Sequence, residues 1–212
     1  DNADLSDGTP NGAAILEGHF ARLEQASAQC EAFEVRARSV LEGDDAATAY
    51  DPISYQVRFL FGAAFDHAGT LQRTLEDHGM PMVAAYPLIR ASLESAAQVL
   101  WLTTGGRRSK RVFRALHRVW DMATMSDEAL QHLIPGRQSY LPGLRTRLDE
   151  LLRAARAGQR SLDQTYPSMT NIVIDAGRFV QSRRFTPIDV WRLCSSMAHG
   201  NRTVALSILE AR

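Results

Sequence analysis

Apolar residues in this chain recur three and four positions apart through almost every punctuated segment, and no run alternates apolar with polar residues as a half-buried strand requires. The clearest stripe is Ile53, Val57, Leu60, Phe61, Ala64, Phe65, Ala68, Leu71 and Leu75. That period fits one face of a helix and no strand. The pattern predicts an all-α chain, a single helical bundle of about six to seven helices.

Punctuation sets the expected boundaries. Residues 1–12 (DNADLSDGTPNG) are polar and turn-rich and read as a flexible N-terminal segment, leaving residues 13–212 as one helical domain. A first long helix is predicted over 13–41, stopped by Gly43. Asp51-Pro52 reads as a cap and first helical position for a second helix that ends at His78-Gly79. Pro81 opens a third to about Thr104, and Pro87 either kinks it or marks its true start, leaving the Val83 carbonyl without its helical donor. A fourth follows over about 107–133, a fifth over 142–157 and a sixth over 167–180. Thr186-Pro187 caps a seventh that runs to about Glu210. No internal repeat or low-complexity linker divides them.

Composition narrows the class. With 45% apolar and 23% charged residues, the 212-residue chain has the balance of a globular protein with a sizeable core. Arg58 interrupts the apolar stretch 53–65, and Arg90 and Glu94 interrupt 83–102, so no membrane span is expected. No signal peptide is recognisable, and a start at Asp1 reads as a trimmed terminus. Cys30 and Cys194 stand in neither a CxxC nor a zinc spacing, which fits reduced thiols and a cytoplasmic setting. The net charge of zero hides an asymmetry: residues 1–51 carry eleven acids against three arginines, and the remainder carries twenty-one bases against thirteen acids. The two parts are therefore expected to attract each other.

Three segments could carry chemistry. In WRLCSSMAHGN (191–201), Arg192 and His199 are seven apart, so on one helix they lie within about 20° of each other and ~10 Å apart along the axis. Ser195 and Ser196 fall between them, with Asn201 just beyond, and one stripe carries cation, hydroxyl and imidazole together. In YPLIRASLESAAQVLWL (86–102), Arg90 and Glu94 are an i,i+4 pair on an otherwise apolar helix, reading either as a structural ion pair that fixes helix register or as the lining of a pocket for an anionic or hydrogen-bonding ligand. In GGRRSKRVFRALHRVW (105–120), six bases precede the first acid. Arg107, Arg108, Arg111 and Arg114 there are candidate phosphate-backbone contacts, with a solvated face as the plain reading. Asp66-His67 and Asp77-His78 recur eleven apart, but neighbouring Asp and His point to different faces, and no metal or cofactor is expected.

IRASLES at 89–95, the Arg-rich helix after it and RLCSSMAHG at 192–200 together resemble the HEPN superfamily of all-α bundles, particularly its uncharacterised and abortive-infection-like bacterial branches. The resemblance spans roughly residues 52–205, and its strongest element is Arg192-x6-His199. It implies metal-independent RNA cleavage by a toxin-like defence factor of a toxin–antitoxin kind, His199 acting on the 2′-hydroxyl or leaving oxygen and Arg192 stabilising charge on the phosphate. It also implies a homodimer in which two such motifs form one site. Leu193 stands where active members carry a polar residue after the arginine. The alternative is therefore a non-catalytic HEPN-like module that takes a nucleotide, small ligand or partner protein between Tyr86, Arg90, Glu94 and His199. A biosynthetic helical-bundle enzyme is a third reading.

Overall fold

The stripe that begins at Ile53 becomes one face of a 26-residue helix. In the computed structural model, which describes residues 12–79, 81, 83–156, 160–181 and 185–210, it forms α3 (Ile53–His78), with Ile53 and Leu60 buried. Gly79, at φ +70°, ends the helix as the sequence predicts, its N–H donating to the Leu75 carbonyl at 3.0 Å. The predicted Asp51 cap is replaced by caps from the preceding helix. Ser54 N donates to Asp45 Oδ1 at 2.9 Å and Ile53 N to Thr48 Oγ1 at 3.2 Å.

Nine helices occur among the described residues: α1 (Gly12–Glu31), α2 (Val40–Ala47), α3, α4 (Ala85–Thr103), α5 (Arg108–Leu133), α6 (Leu141–Ala154), α7 (Met169–Gly177), α8 (Pro187–Ala198) and α9 (Arg202–Glu210). The fold is all-α, a helical bundle. Two of the expected helices each split in two. The first breaks at residue 32 and restarts after Arg38, a non-glycine residue at φ 59°, where Ser39 caps α2 by accepting from Glu42 N at 3.1 Å. Gly43 lies inside α2 rather than ending a helix. The last predicted helix breaks at His199-Gly200, with Gly200 at φ +69°. The flexible segment expected over 1–12 lies, apart from Gly12, outside the described residues. Gly12 itself is the first residue of α1.

Pro87 is the third residue of α4, in the first turn where an N–H has no intrahelical acceptor, so it marks the start rather than a kink. The Val83 carbonyl, expected to be free, accepts from Tyr86 N at 3.1 Å. α4 is the organising helix, packing against α3, α7 and α8 and more lightly on α5. Leu102, Ala97 and Trp101 of α4 join Ile53, Ile172 and Val173 in one core cluster; Val112, Leu116, Leu144 and Leu148 of α5 and α6 build a second. Leu148 is wholly buried, and cutting such a side chain to alanine typically costs ~2–5 kcal/mol.

Candidate functional site

The seam where α8 crosses α4 gathers the polar residues that the sequence scatters. Arg90, on α4, donates from Nε to Glu94 Oε1 at 2.8 Å, and Trp191, on α8, donates its indole N–H to the same oxygen at 2.7 Å. The Arg90 guanidinium lies over the Trp191 ring, 5.2 Å from its centroid. Glu94 thus fixes both the cation and the aromatic against which it rests. The side chains of Arg90 and Glu94 keep about a quarter of their surface exposed, 27% and 22%, so the pair is half-buried and open on one side.

His199 closes this group. It is the C-cap of α8, with φ −91° and ψ 11°, one residue past the last helical turn, and its N–H donates to the Ser195 carbonyl at 3.2 Å. Gly200 turns the chain, Asn201 N donates to the Ser196 carbonyl at 3.0 Å, and Asn201 Oδ1 accepts from Val204 N at 3.3 Å to start α9. The turn leaves His199 exposed and brings its Nε2 to 3.5 Å from Arg90 Nη1. A guanidinium only donates, so Nε2 accepts in that contact when the imidazole carries its proton on Nδ1. Below the cluster, burial pushes the Cys194 thiol above its ordinary value, with the charge of Arg90 acting against it. A buried thiol of that kind is a poor nucleophile.

The structure brings together Arg90, Glu94 and His199, and places Tyr86, partly buried, one turn before Arg90. It does not pair Arg192 with His199. Arg192 is exposed on α8, near enough to Asp189 for its charge to act there. The Asp189 carboxyl is held below its usual range first by the Thr186 hydroxyl and main-chain N–H, and only lastly by Arg192. Seven residues of helix set the two about 10 Å apart along the axis, and the cation within reach of His199 is Arg90 instead. Ser195 and Ser196 are partly buried and act here through their main-chain carbonyls, and the Asn201 side-chain oxygen is occupied as a helix cap rather than offered to a ligand. Trp191, read from the sequence only as an apolar contact, is the residue that was missed. Its signal is the indole N–H, which must find an acceptor when buried.

The basic segment corrects a second expectation. Arg111 and Arg114, predicted to face a phosphate backbone, are buried. Arg111 donates from Nε and Nη2 to Asp44 at 2.6 and 3.2 Å, and from Nη1 to the Gly106 carbonyl at 2.7 Å. Arg114 lies 4.6 Å over the Trp101 ring, donates to the Trp101 carbonyl and approaches Asp175. Arg107 and Arg108 are exposed, but Arg108 donates to the Gly43 carbonyl and stands 3.7 Å from Asp44. Asp44 of α2 therefore meets Arg108 and Arg111, Asp175 of α7 meets Arg114, and the four arginines do not form one surface. No group of three or more His, Cys, Asp or Glu that could hold a metal occurs among the described residues, and the His78 side chain lies outside them. No described helix is long and apolar enough to cross a membrane. Comparison of the chain with protein-family models, curated proteins and solved structures gives no match.

Proposed function

We propose that this helical bundle is a HEPN-like module that binds the phosphate group of a nucleotide or RNA between Arg90 and His199. The observation that carries the reading is the 3.5 Å approach of Arg90 Nη1 to His199 Nε2, with Arg90 already oriented by Glu94 and Trp191. Two nitrogens at that separation, one on an exposed residue, can both donate to a phosphate oxygen set between them once the imidazole takes up a proton. A guanidinium held from behind loses little freedom on gripping an anion. The inward turn of Arg111 and Arg114 favours a short or single-phosphate ligand over an extended duplex track.

The experiment is a titration of the folded protein with a labelled oligoribonucleotide and with a mononucleotide at low salt. Arg90→Gln and His199→Ala are expected to weaken both ligands by roughly tenfold or more, which is ~1.4 kcal/mol or above, while Arg192→Gln leaves them unchanged. Equal binding by wild type and Arg90→Gln overturns the reading.

The exposure of His199 favours a second reading, metal-independent RNA cleavage with His199 as proton carrier and Arg90, rather than Arg192, as the cation at the phosphate. Incubation with RNA in EDTA then yields fragments with wild type and none with His199→Ala. RNA left intact by wild type ends the catalytic reading and leaves the binding module standing.

A further inference from the structure

In one of its two protonation states the Arg90–His199 pair occupies itself. With Nε2 unprotonated, the imidazole accepts from Arg90 Nη1 at 3.5 Å, and the donor that a phosphate oxygen needs is already engaged. With Nε2 protonated, two donors face each other and that contact is lost. The seam then presents two N–H groups with no acceptor between them.

The surroundings of the ring decide how such a proton is received. Helices α4, α7 and α9 pack on α8. Their charged and titratable groups are Tyr86, Arg90 and Glu94 on α4, Asp175 on α7 with Arg178 at its end, and Arg202 and Glu210 on α9. On α8 itself they are Asp189, Arg192 and Cys194. Among the described residues Arg90 alone has a hydrogen-bond contact with the His199 ring, and no carboxylate lies within ion-pair distance of it. The nearby acids are engaged elsewhere. Glu94 accepts from Arg90 and Trp191, Asp175 stands beside Arg114 and Arg178, and Asp189 accepts from the Thr186 main-chain N–H and hydroxyl.

A proton on His199 therefore sets a second cation beside Arg90 with no carboxylate to share the charge. An anion between them reverses the balance, because both cations attract it and each donates a charge-assisted hydrogen bond. Nitrogens 3.5 Å apart leave room for one oxygen at about 2.8 Å from each. Arg90 and Glu94 cancel in charge, so the proton supplies the single net charge that one phosphodiester carries. We infer, resting on the phosphate reading of this seam, that anion binding and proton uptake here are one coupled event: the pair is closed on itself while His199 is neutral and takes a phosphodiester together with one proton. The coupling is reciprocal, as linkage requires. Affinity thus rises as pH falls through the range in which an imidazole gains its proton.

The probe is a short oligouridylate with 2′-methoxy groups and no terminal phosphate. Its phosphodiesters keep one charge each from about pH 5.5 to 8, and it offers no 2′-hydroxyl for cleavage. Wild type, shown to be folded at each pH by circular dichroism, is titrated at low salt. Affinity is expected to fall with rising pH by up to about tenfold per unit, the slope of one linked proton. Calorimetry in two buffers of different ionisation enthalpy should record uptake approaching one proton per bound phosphate at the upper end of the range. His199→Gln keeps an N–H donor but cannot titrate, so it should bind with a flat pH profile and no proton uptake. Arg90→Gln should bind weakly at every pH. Wild-type affinity that is constant across the range, binding without proton uptake, or a slope that survives in His199→Gln overturns the coupling and leaves the phosphate site in place. No binding by wild type at any pH, or binding by Arg90→Gln equal to wild type, overturns the phosphate site and the coupling with it.

Discussion

Arginine is put to opposite uses on two neighbouring helices. On α5, Arg111 and Arg114 enter the interior, one fastened to Asp44 and the other laid over Trp101. On α4, Arg90 sits within an otherwise apolar sequence yet remains a quarter exposed beside His199. The segment dense in charge became scaffold, and the lone charge pair became the open polar site. Charge density along a sequence reports cost as well as availability. A guanidinium is buried only where a carboxylate or carbonyls meet it, here Asp44 for Arg111 and the Trp101 carbonyl with Asp175 for Arg114. The lesson is to ask where each cation's partner is encoded before reading a basic run as a surface.

The largest break in this comparison is Asp44→Ala. Asp44 and Arg111 keep only 2% and 11% of their side-chain surface, and removing the acid strands a buried guanidinium. A loss of ~3–5 kcal/mol is expected, read from denaturant unfolding. A loss under ~1 kcal/mol would place the pair with ordinary surface ion pairs. Next comes Gly105→Ala. An added Cβ there would stand 2.8 Å from Arg111 Cγ and 3.3 Å from its main-chain nitrogen, so the backbone of Gly105 can approach only because it lacks a side chain. A cost of ~1–3 kcal/mol is expected from overpacking, measured the same way. A variant as stable as wild type would show that Arg111 can shift without losing Asp44.

For the open pair the expected step is smaller. Glu94→Ala removes the acceptor of both Arg90 and Trp191, but water reaches the group and can replace part of what is lost. Stability should fall by ~1–2 kcal/mol, while phosphate-ligand affinity falls with the loss of Arg90's orientation. An unchanged affinity in the folded variant would separate Arg90 from the function proposed for it.

The sequence made the end of α3 legible, because Gly79 coincides with the end of an apolar stripe. The break after Glu31 was not legible. The chain turns there through Arg38 at positive φ, a conformation that glycine or asparagine advertises and arginine does not. The break at His199 was marked, by Gly200 as a helix stop and Asn201 as a helix start, but the apolar period runs on through Val204 and hides it. That break makes His199 the C-cap of α8 rather than an interior residue, and the cation beside it is Arg90 of α4. Arg90 and Glu94 were legible as a pair because i,i+4 spacing is local. Their meeting with Trp191 and His199 is about a hundred residues distant in sequence and depends on how α8 crosses α4, which no local period encodes.

Acid sharpens the contrast as a slope rather than a step. Burial holds His117 of α5 below its ordinary 6.5, against the Gln164 carbonyl, which accepts from its ring at 2.9 Å and favours the charged form, as does Asp121. The unfolded chain thus binds a proton that the folded one resists. Stability is complete above the unfolded value and declines as pH falls below 6.5 toward the lowered folded value. Asp51 acts in the opposite sense, burial raising its carboxyl so that its penalty is felt as pH rises above 3.8. Unfolding of wild type and His117→Gln across pH 8 to 5 should show a steeper decline in wild type. Parallel curves would mean that the buried imidazole titrates as a free one.

The smallest effect belongs to the charges that do face water. Arg107 and Lys110 are exposed in and just before the first turn of α5, where cations also oppose the helix dipole, so Arg107→Gln with Lys110→Gln should leave stability within ~0.5 kcal/mol of wild type or slightly raise it. Arg111→Gln over the same run should be destabilising, because it breaks the contacts to Asp44. If the exposed pair also touches a bound RNA, the double variant flattens the salt dependence of binding by about 0.7 in log–log slope per lost contact, without changing the fold. A slope identical to wild type assigns binding to the Arg90–His199 seam alone. A double variant that unfolds would instead place these two cations with the sealed arginines and erase the distinction between the two ends of the helix.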